Sequence, residues 1–444
     1  MTTRPRLRVP RLTAAPGTSG KKSSPNAVDG SGPAAPAGGL ARINLGKVFT
    51  AESTNYLLLL GTTLFLVVFG LVMVLSSSSV DSYLAEAGFF GGLFRQGIFA
   101  VIGIPLMLVI SRFPLTFWKR VAWPGMIISS FFQCLVVFTP LGVTVAGNTN
   151  WLSIGGVQFQ PSEAIKVALV IWLGVILAQK KDKLDDWRHV YIPVFGVGGG
   201  SIALVMIGGD LGTVIIMAGL LFGALFFAGL RLRMLALPLG IAAVAGVLLA
   251  VSSENRLTRL TSFAVDTCDV HDGGIISAAC WQPLHGTWAL ANGGIFGVGL
   301  GNSKAKWSWL PAADNDYIFA IVGEELGLIG AIVVLVMFIL LAIAFIRILR
   351  GTPDLQVRVT TASVMVWIIG QALVNIAVVL GLLPVLGVPL PLISAGGTAL
   401  LTTLAAIGVV LSFARADQHA GETPPAGAAR KAGGARIPSG GTTR

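Results

Sequence analysis

Residues 281–328 read WQPLHGTWALANGGIFGVGLGNSKAKWSWLPAADNDYIFAIVGEELGL and run straight into an apolar stretch that ends at Ile346. The part after Asp316 has the length and apolarity of a membrane-spanning helix, predicted over Tyr317–Ile346. The part before it is too polar to enter a bilayer without a reason. Glycines at 293, 294, 297, 299 and 301 allow tight folding or a close approach to a ligand. Lys304 and Lys306 offer positive charge to a phosphate just before Asp316 opens the helix. Such a layout suits an anionic, partly apolar substrate handled at a membrane surface.

Outward from this junction, apolar runs of similar length recur. Hydropathy predicts ten spans: Asn55–Leu75, Gly92–Ile110, Val121–Leu141, Ala164–Leu177, Tyr191–Ile207, Leu211–Leu230, Met234–Val251, Tyr317–Ile346, Val359–Leu382 and Ser394–Phe413. The fold class is therefore an all-α polytopic membrane protein with a large extracytoplasmic loop between helices 7 and 8. One set of connections is basic, with Arg112, Lys119 and Arg120, then Lys180, Lys181, Lys183 and Arg188, then Arg231 and Arg233, then Arg347, Arg350 and Arg358. Together with both chain ends it forms the predicted cytoplasmic side, and an even number of spans agrees with that placement. All the unusual sequence then falls on the outer side.

Composition narrows the function classes. Of 444 residues, 54% are hydrophobic and 11% charged, and the mean hydropathy is +0.81. The net charge of +11 looks like a nucleic-acid signal until it is located. Residues 1–50 hold Arg4, Arg6, Arg8, Arg11, Lys21, Lys22, Arg42 and Lys47 against Asp29, and the C-terminal tail adds Arg430, Lys431, Arg436 and Arg444. The excess sits in two Pro/Gly/Ser/Ala-rich tails, 1–50 and 416–444, expected to be disordered cytoplasmic arms near anionic lipid. Residues 51–415 form the transmembrane domain. The first apolar run starts too late and runs too long for a cleaved leader. Cys134 lies in an apolar run, whereas Cys268 and Cys280 share a polar loop and are expected to be bridged as a structural disulfide if that loop faces an oxidising compartment.

Several polar groups have both a structural and a chemical reading. Glu163 and Lys166 lie three apart at the start of the fourth span and can form an ion pair on one helix face, whether for stability or for substrate. Asp210, in Gly209-Asp210-Leu211-Gly212-Thr213, is placed to cap the sixth helix. Asp316 fits a helix cap as well as a catalytic group. Glu324 and Glu325, two turns into the eighth span, need partners such as Lys166, Arg95 or water. Arg256, Arg259, Lys304 and Lys306 surround the long loop and suit a pyrophosphate headgroup. The Leu383–Thr398 stretch is broken by Pro and Gly and is expected to wall a cavity. His189, His271 and His285 show no metal-ligand spacing, and Gly297-Val298-Gly299-Leu300-Gly301 lacks the βαβ context of a dinucleotide site.

Taken together, GNTNWLSIGGVQFQPSE (147–163), GGDLGT (208–213), ANGGIFGVGLGNSKAKWSWLPAADNDYIFAIVGEELG (291–327) and GLLPVLGVPLPLISAGGT (381–398) resemble the SEDS family of bacterial cell-wall polymerases. The likeness covers about 55–415, and the long basic N-terminal arm with the AGGT ending favours the division branch over the elongation branch. The resemblance implies a peptidoglycan glycosyltransferase that polymerises lipid II at the outer face of the cytoplasmic membrane, beside a class B penicillin-binding transpeptidase and other division proteins. It places the family's essential aspartate on Asp316, and its polar cavity motif on Gln160, Pro161, Ser162, Glu163 and Lys166. Asp210 matches its turn motif, and Ser394 falls in its last outer segment. Where the family commonly has an acidic residue and a histidine, this chain has Ala312 and Asp314; where it commonly has an arginine pair, this chain has Thr149 and Asn150. A divalent cation, Mg or Mn, is an open addition at the phosphates. Lipid II flipping and a non-catalytic division scaffold are the alternative functions.

Overall fold

The structure is a computed structural model and describes residues 53–86, 88–145, 147–252, 257 and 278–421. Among them, ten helices are long and apolar enough to cross a membrane: α1 (Thr54–Leu84), α2 (Gly91–Ile110), α3 (Leu115–Phe138), α4 (Pro161–Gln179), α5 (Trp187–Ile207), α6 (Leu211–Ala228), α7 (Leu232–Val251), α9 (Ile318–Gly351), α10 (Leu355–Val379) and α11 (Gly397–Gly421). The chain is a multi-pass membrane protein. An additional helix, α8 (Ala278–Gly293), belongs to the long connection and lies against α9.

Burial grades the spans. α4 is enclosed by α3, α6, α10 and α11, and its apolar residues Ile165, Leu169, Val170, Trp172, Leu173 and Leu177 are all buried. α7 packs on α6 and otherwise presents leucine, isoleucine and valine outward, including Leu237, Ile241, Val244 and Val247. With hydrocarbon as the solvent such exposure costs nothing, because apolar side chains are as well accommodated by lipid as by protein. α5 is regular at its ends and passes through a π-helical stretch, Val194–Gly199.

Between the predicted spans Val121–Leu141 and Ala164–Leu177, where no strand was expected, the structure forms a three-stranded antiparallel sheet. β1 (Gly142–Val145), β2 (Asn148–Ile154) and β3 (Val157–Phe159) follow one another. The β2–β3 turn is the dipeptide Gly155-Gly156, with φ of 58° and 83°. Two successive positive φ values match the right-handed strand twist, and glycine reaches them without a Cβ clash. Thr149 N–H donates to Gly208 O at 2.8 Å, which ties β2 to the turn between α5 and α6.

The eighth span also departs from expectation. It was predicted as a continuous helix, but Gly327 breaks it with φ 67° and ψ −164°. The glycine-rich segment after α8 fills the break: Val298 and Gly299 N–H donate to Glu324 and Glu325 O at 2.9 and 3.0 Å, and Leu328 N–H donates to Gly294 O at 2.9 Å. A Cβ on Gly327 would lie 2.4 Å from Gly297 N, so the close crossing requires glycine.

Candidate active site

A cavity of about 290 Å³ opens at the end of the bundle that carries the sheet. Its wall combines β2 (Asn148, Asn150, Trp151), the starts of α4 (Gln160, Glu163) and α6 (Asp210–Thr213), the loop before α9 (Asn315, Asp316), the turn Pro384–Pro389, and the start of α11 (Gly396, Thr398, Ala399). Three of the sequence-derived candidates, Glu163, Asp210 and Asp316, therefore share one space. Three helices also begin on its wall, and the exposed amides of a helix start favour negative charge. The buried Oδ1 of Asn150 and Oγ1 of Thr398 have no protein hydrogen-bond partner, which leaves acceptor capacity for a polar substrate.

The carboxylates are held in different ways. Lys166 Nζ lies 2.7 Å from Glu163 Oε1, 3.2 Å from Gln371 Oε1 and 4.7 Å from the centre of the Trp367 ring. Lys166 is 1% exposed, so this charge survives only because it is paired and hydrogen-bonded. Thr402 donates to the other Glu163 oxygen at 3.2 Å. Asp210 is saturated: it caps α6 by accepting from Thr213 N–H and Oγ1 at 2.9 Å, and the Asn150 and Gln160 amides donate to Oδ2 at 3.1 and 3.0 Å. Capping is thus its main work, and through it the middle strand β2 and the residue that follows β3 are fastened to α6.

Asp316 stands just before α9. The loop carbonyls around it are gripped one after another: Asp314 O by Ala395 N–H at 2.8 Å, Asn315 O by Ser394 Oγ at 2.7 Å, and Asp316 O by Asn375 Nδ2 at 2.7 Å. Asp316 Oδ2 lies 3.7 Å from where a Cβ on Gly387 would sit, across the cavity lining. Ser394, a candidate substrate-binding residue, spends its hydroxyl on Asn315 O and on the Leu390 N–H at 2.8 Å. Burial pushes the Asp314 carboxyl above the usual carboxylate range; Asp81 adds to this, while a backbone hydrogen bond and Arg95 oppose it.

Glu324 and Glu325 have partners other than Lys166 or Arg95. Glu324 accepts from Asn292 Nδ2 at 2.9 Å, Lys304 N–H at 3.1 Å, Ala305 N–H at 3.3 Å and the Ser303 hydroxyl. Glu325 is paired with Lys306 at 3.3 Å and accepts from Ser76 Oγ at 2.6 and 2.7 Å. Lys306 is thereby buried against the loop and borders an apolar groove of about 520 Å³ beside α1, rather than the cavity. Lys304 is exposed and contributes its main chain. Arg256, Arg259 and Cys268 lie outside the described residues. Cys280 is buried and disulfide-bonded, and Cys134 is free.

Asp210 and Glu163 are committed to hydrogen-bond donors and Lys166, and among the described residues no group of three His, Cys, Asp or Glu side chains is spaced for a metal. Two residues that matter here, Gln371 and Asn375, were not singled out in the sequence. Their signal is a pair of amides four apart in an otherwise apolar span.

Comparison with known proteins gives the family of the chain. The family profile described as "Cell cycle protein" (FtsW/RodA/SpoVE) matches residues 56–419. A "Probable peptidoglycan glycosyltransferase FtsW" of Mycobacterium tuberculosis is 36% identical over 401 residues, 90% of this chain and 74% of that protein. "Stage V sporulation protein E" of Bacillus subtilis is 34% identical over 83% of this chain and 100% of its own length. Among solved structures, a chain from "Structural coordination of polymerization and crosslinking by a peptidoglycan synthase complex" shares the fold with a TM-score of 0.65 at 22% identity, covering 83% of this chain and 99% of that one. The rod shape determining protein RodA of Thermus thermophilus does so with a TM-score of 0.58 at 22% identity, covering 83% and 98%. The chain belongs to the FtsW/RodA/SpoVE family of multi-pass membrane proteins.

Proposed function

We propose that this chain is a peptidoglycan glycosyltransferase that polymerises lipid II into glycan strands at the outer face of the cytoplasmic membrane during division, with Asp316 as general base. The observation that carries the reading is the position of Asp316 on the wall of a polar cavity at a helix entrance, shared with the Glu163–Lys166 pair. The naming of relatives over most of the chain as glycosyltransferases supports the same reaction class.

In this reaction the 4-hydroxyl of one lipid II sugar attacks the anomeric carbon of the growing strand. A C–O bond forms there, the bond to undecaprenyl pyrophosphate breaks, and the hydroxyl proton passes to Asp316. The departing pyrophosphate carries away the bonding electrons, and the helix starts of α4, α6 and α11 on the cavity wall favour its negative charge. Orientation does the rest, because holding both sugars in one enclosed space removes the entropic cost of their encounter.

Both basic tails lie in the cytoplasm in this reading, and the septum is the place of action. A class B penicillin-binding transpeptidase is the partner, in keeping with a fold neighbour taken from a complex described as coordinating polymerization and crosslinking. The test is polymerisation of purified lipid II in detergent. Asp316→Asn keeps the shape and removes the base, so it should fold and make no glycan. Normal strand synthesis by that variant would overturn the assignment, and redistribution of lipid II between vesicle leaflets without polymer would point to transport.

A further inference from the structure

Asn375 is 1% exposed near the end of α10, and its side-chain nitrogen donates two hydrogen bonds. One goes to Asp316 O at 2.7 Å, the other to Val388 O at 2.8 Å. Both partners are carbonyls and can only accept, so the NH₂ group must face them. One turn earlier on the same face, Gln371 Nε2 donates to Pro389 O at 2.8 Å, while Gln371 Oε1 accepts from Lys166 at 3.2 Å and Trp367 Nε1 at 3.0 Å. The turn that these amides hold carries Gly387, the residue facing Asp316 Oδ2.

We infer that Asn375 is a positioning residue for Asp316: its amide fixes both the main chain that carries the carboxylate and the turn that forms the opposite side of its slot. Gln371 extends the link to Lys166 and Glu163, so the buried ion pair and the reacting carboxylate are joined through the two α10 amides. The inference rests on the reading of Asp316 as general base. Nothing in the chemistry requires Asn375 to touch substrate; its side-chain nitrogen is occupied by two carbonyls. Its effect should therefore fall on turnover and leave substrate binding alone, since a displacement of a reacting group by about 1 Å costs on the order of 100-fold.

Asn375→Asp is nearly isosteric and turns the donor into an acceptor facing two carbonyls, while Asn375→Ala removes it. Polymerisation kinetics with purified lipid II should show kcat lower by about 10- to 100-fold in both variants that fold, with KM close to the parent and a lower unfolding temperature, because buried carbonyls lose their donor. Ser394→Ala, which removes the grip on Asn315 O together with the acceptor of the Leu390 N–H, is the second arm if the Asn375 variants do not fold. It should lower kcat several-fold at constant KM.

Parent-like kcat in the Asn375 variants, or in Ser394→Ala when only that variant folds, overturns the inference. So does a rise in KM that matches the fall in kcat/KM, which would make these residues substrate contacts. Asp316→Asn is assayed in parallel to separate the two failures. If it is inactive while the Asn375 variants turn over normally, only the positioning role fails. If it polymerises normally, the general-base reading fails and the positioning role with it.

Discussion

Around Glu324 and Glu325 the side-chain oxygens themselves are held, by Ser303, Asn292, two loop amides, Ser76 and Lys306, in addition to the main-chain bonds from Val298 and Gly299. Around Asp316 the holding bonds described above end on the main chain, at the carbonyls of 314, 315 and 316. Both regions lie in one loop-and-helix unit, yet their carboxylates do opposite work. The first pair is consumed in anchoring the loop. The main chain at Asp316 is held at each carbonyl, and the residue lines the cavity, where the proposed role as general base would place it.

The comparison breaks first at Asp316. Asp316→Asn should lower polymerisation by about 10² to 10⁴-fold with an unchanged unfolding temperature in detergent. A large loss of stability in that variant would make Asp316 one more anchor. Lys306→Met should show the reverse pattern, because it leaves Glu325 buried without its cation. Thermal unfolding should report a loss of about 3–5 kcal/mol, and parent-like stability would remove the anchoring role.

Asp210→Ala should cost less, about 1–2 kcal/mol, because it deletes a helix cap along with the Asn150 and Gln160 contacts. Limited proteolysis within 142–159 is a second readout, since those contacts fasten the sheet. The smallest effect is expected at Asp314. Its folded pKa is raised above the usual 3.8, so the native state holds this proton more tightly than the unfolded chain. Below about pH 3.8 the carboxyl is protonated in both states and costs nothing; as pH rises through the folded value, native stability falls. Asp314→Asn should then unfold at a slightly higher temperature at pH 7 and show no gain near pH 3.5, with loss of the Arg95 attraction reducing the benefit. A gain of equal size at both pH values would separate it from titration.

Much of this architecture was legible in the chain. Ten apolar runs give ten spans because hydrocarbon demands length and apolarity of each helix alone, without reference to its neighbours. The grouping of Glu163, Asp210 and Asp316 followed from motifs on one predicted side. The break at Gly327 was hidden because its cause is a pairing with residues some thirty positions earlier, and hydropathy reads only the local run. The partners of Glu324 and Glu325 were misjudged for the same reason: Glu325 takes Lys306 and Glu324 takes Asn292, Ser303 and loop amides, all of them in the connection itself or at its start. The sheet was missed despite a signal in view, a Gly155-Gly156 turn between Trp151-Leu-Ser-Ile and Val157-Gln-Phe.

The seam at Gly327 also has a mechanical meaning. Because the glycine-rich segment is laced into the gap of α9, and Glu324 and Glu325 hold Lys304 and Lys306, the helix and the loop that leads to Asp316 are joined through both main-chain and side-chain atoms. A side chain at Gly297, whose Cβ would lie 2.2 Å from Glu325 O, should therefore disturb the loop that leads to Asp316 as well as the helix.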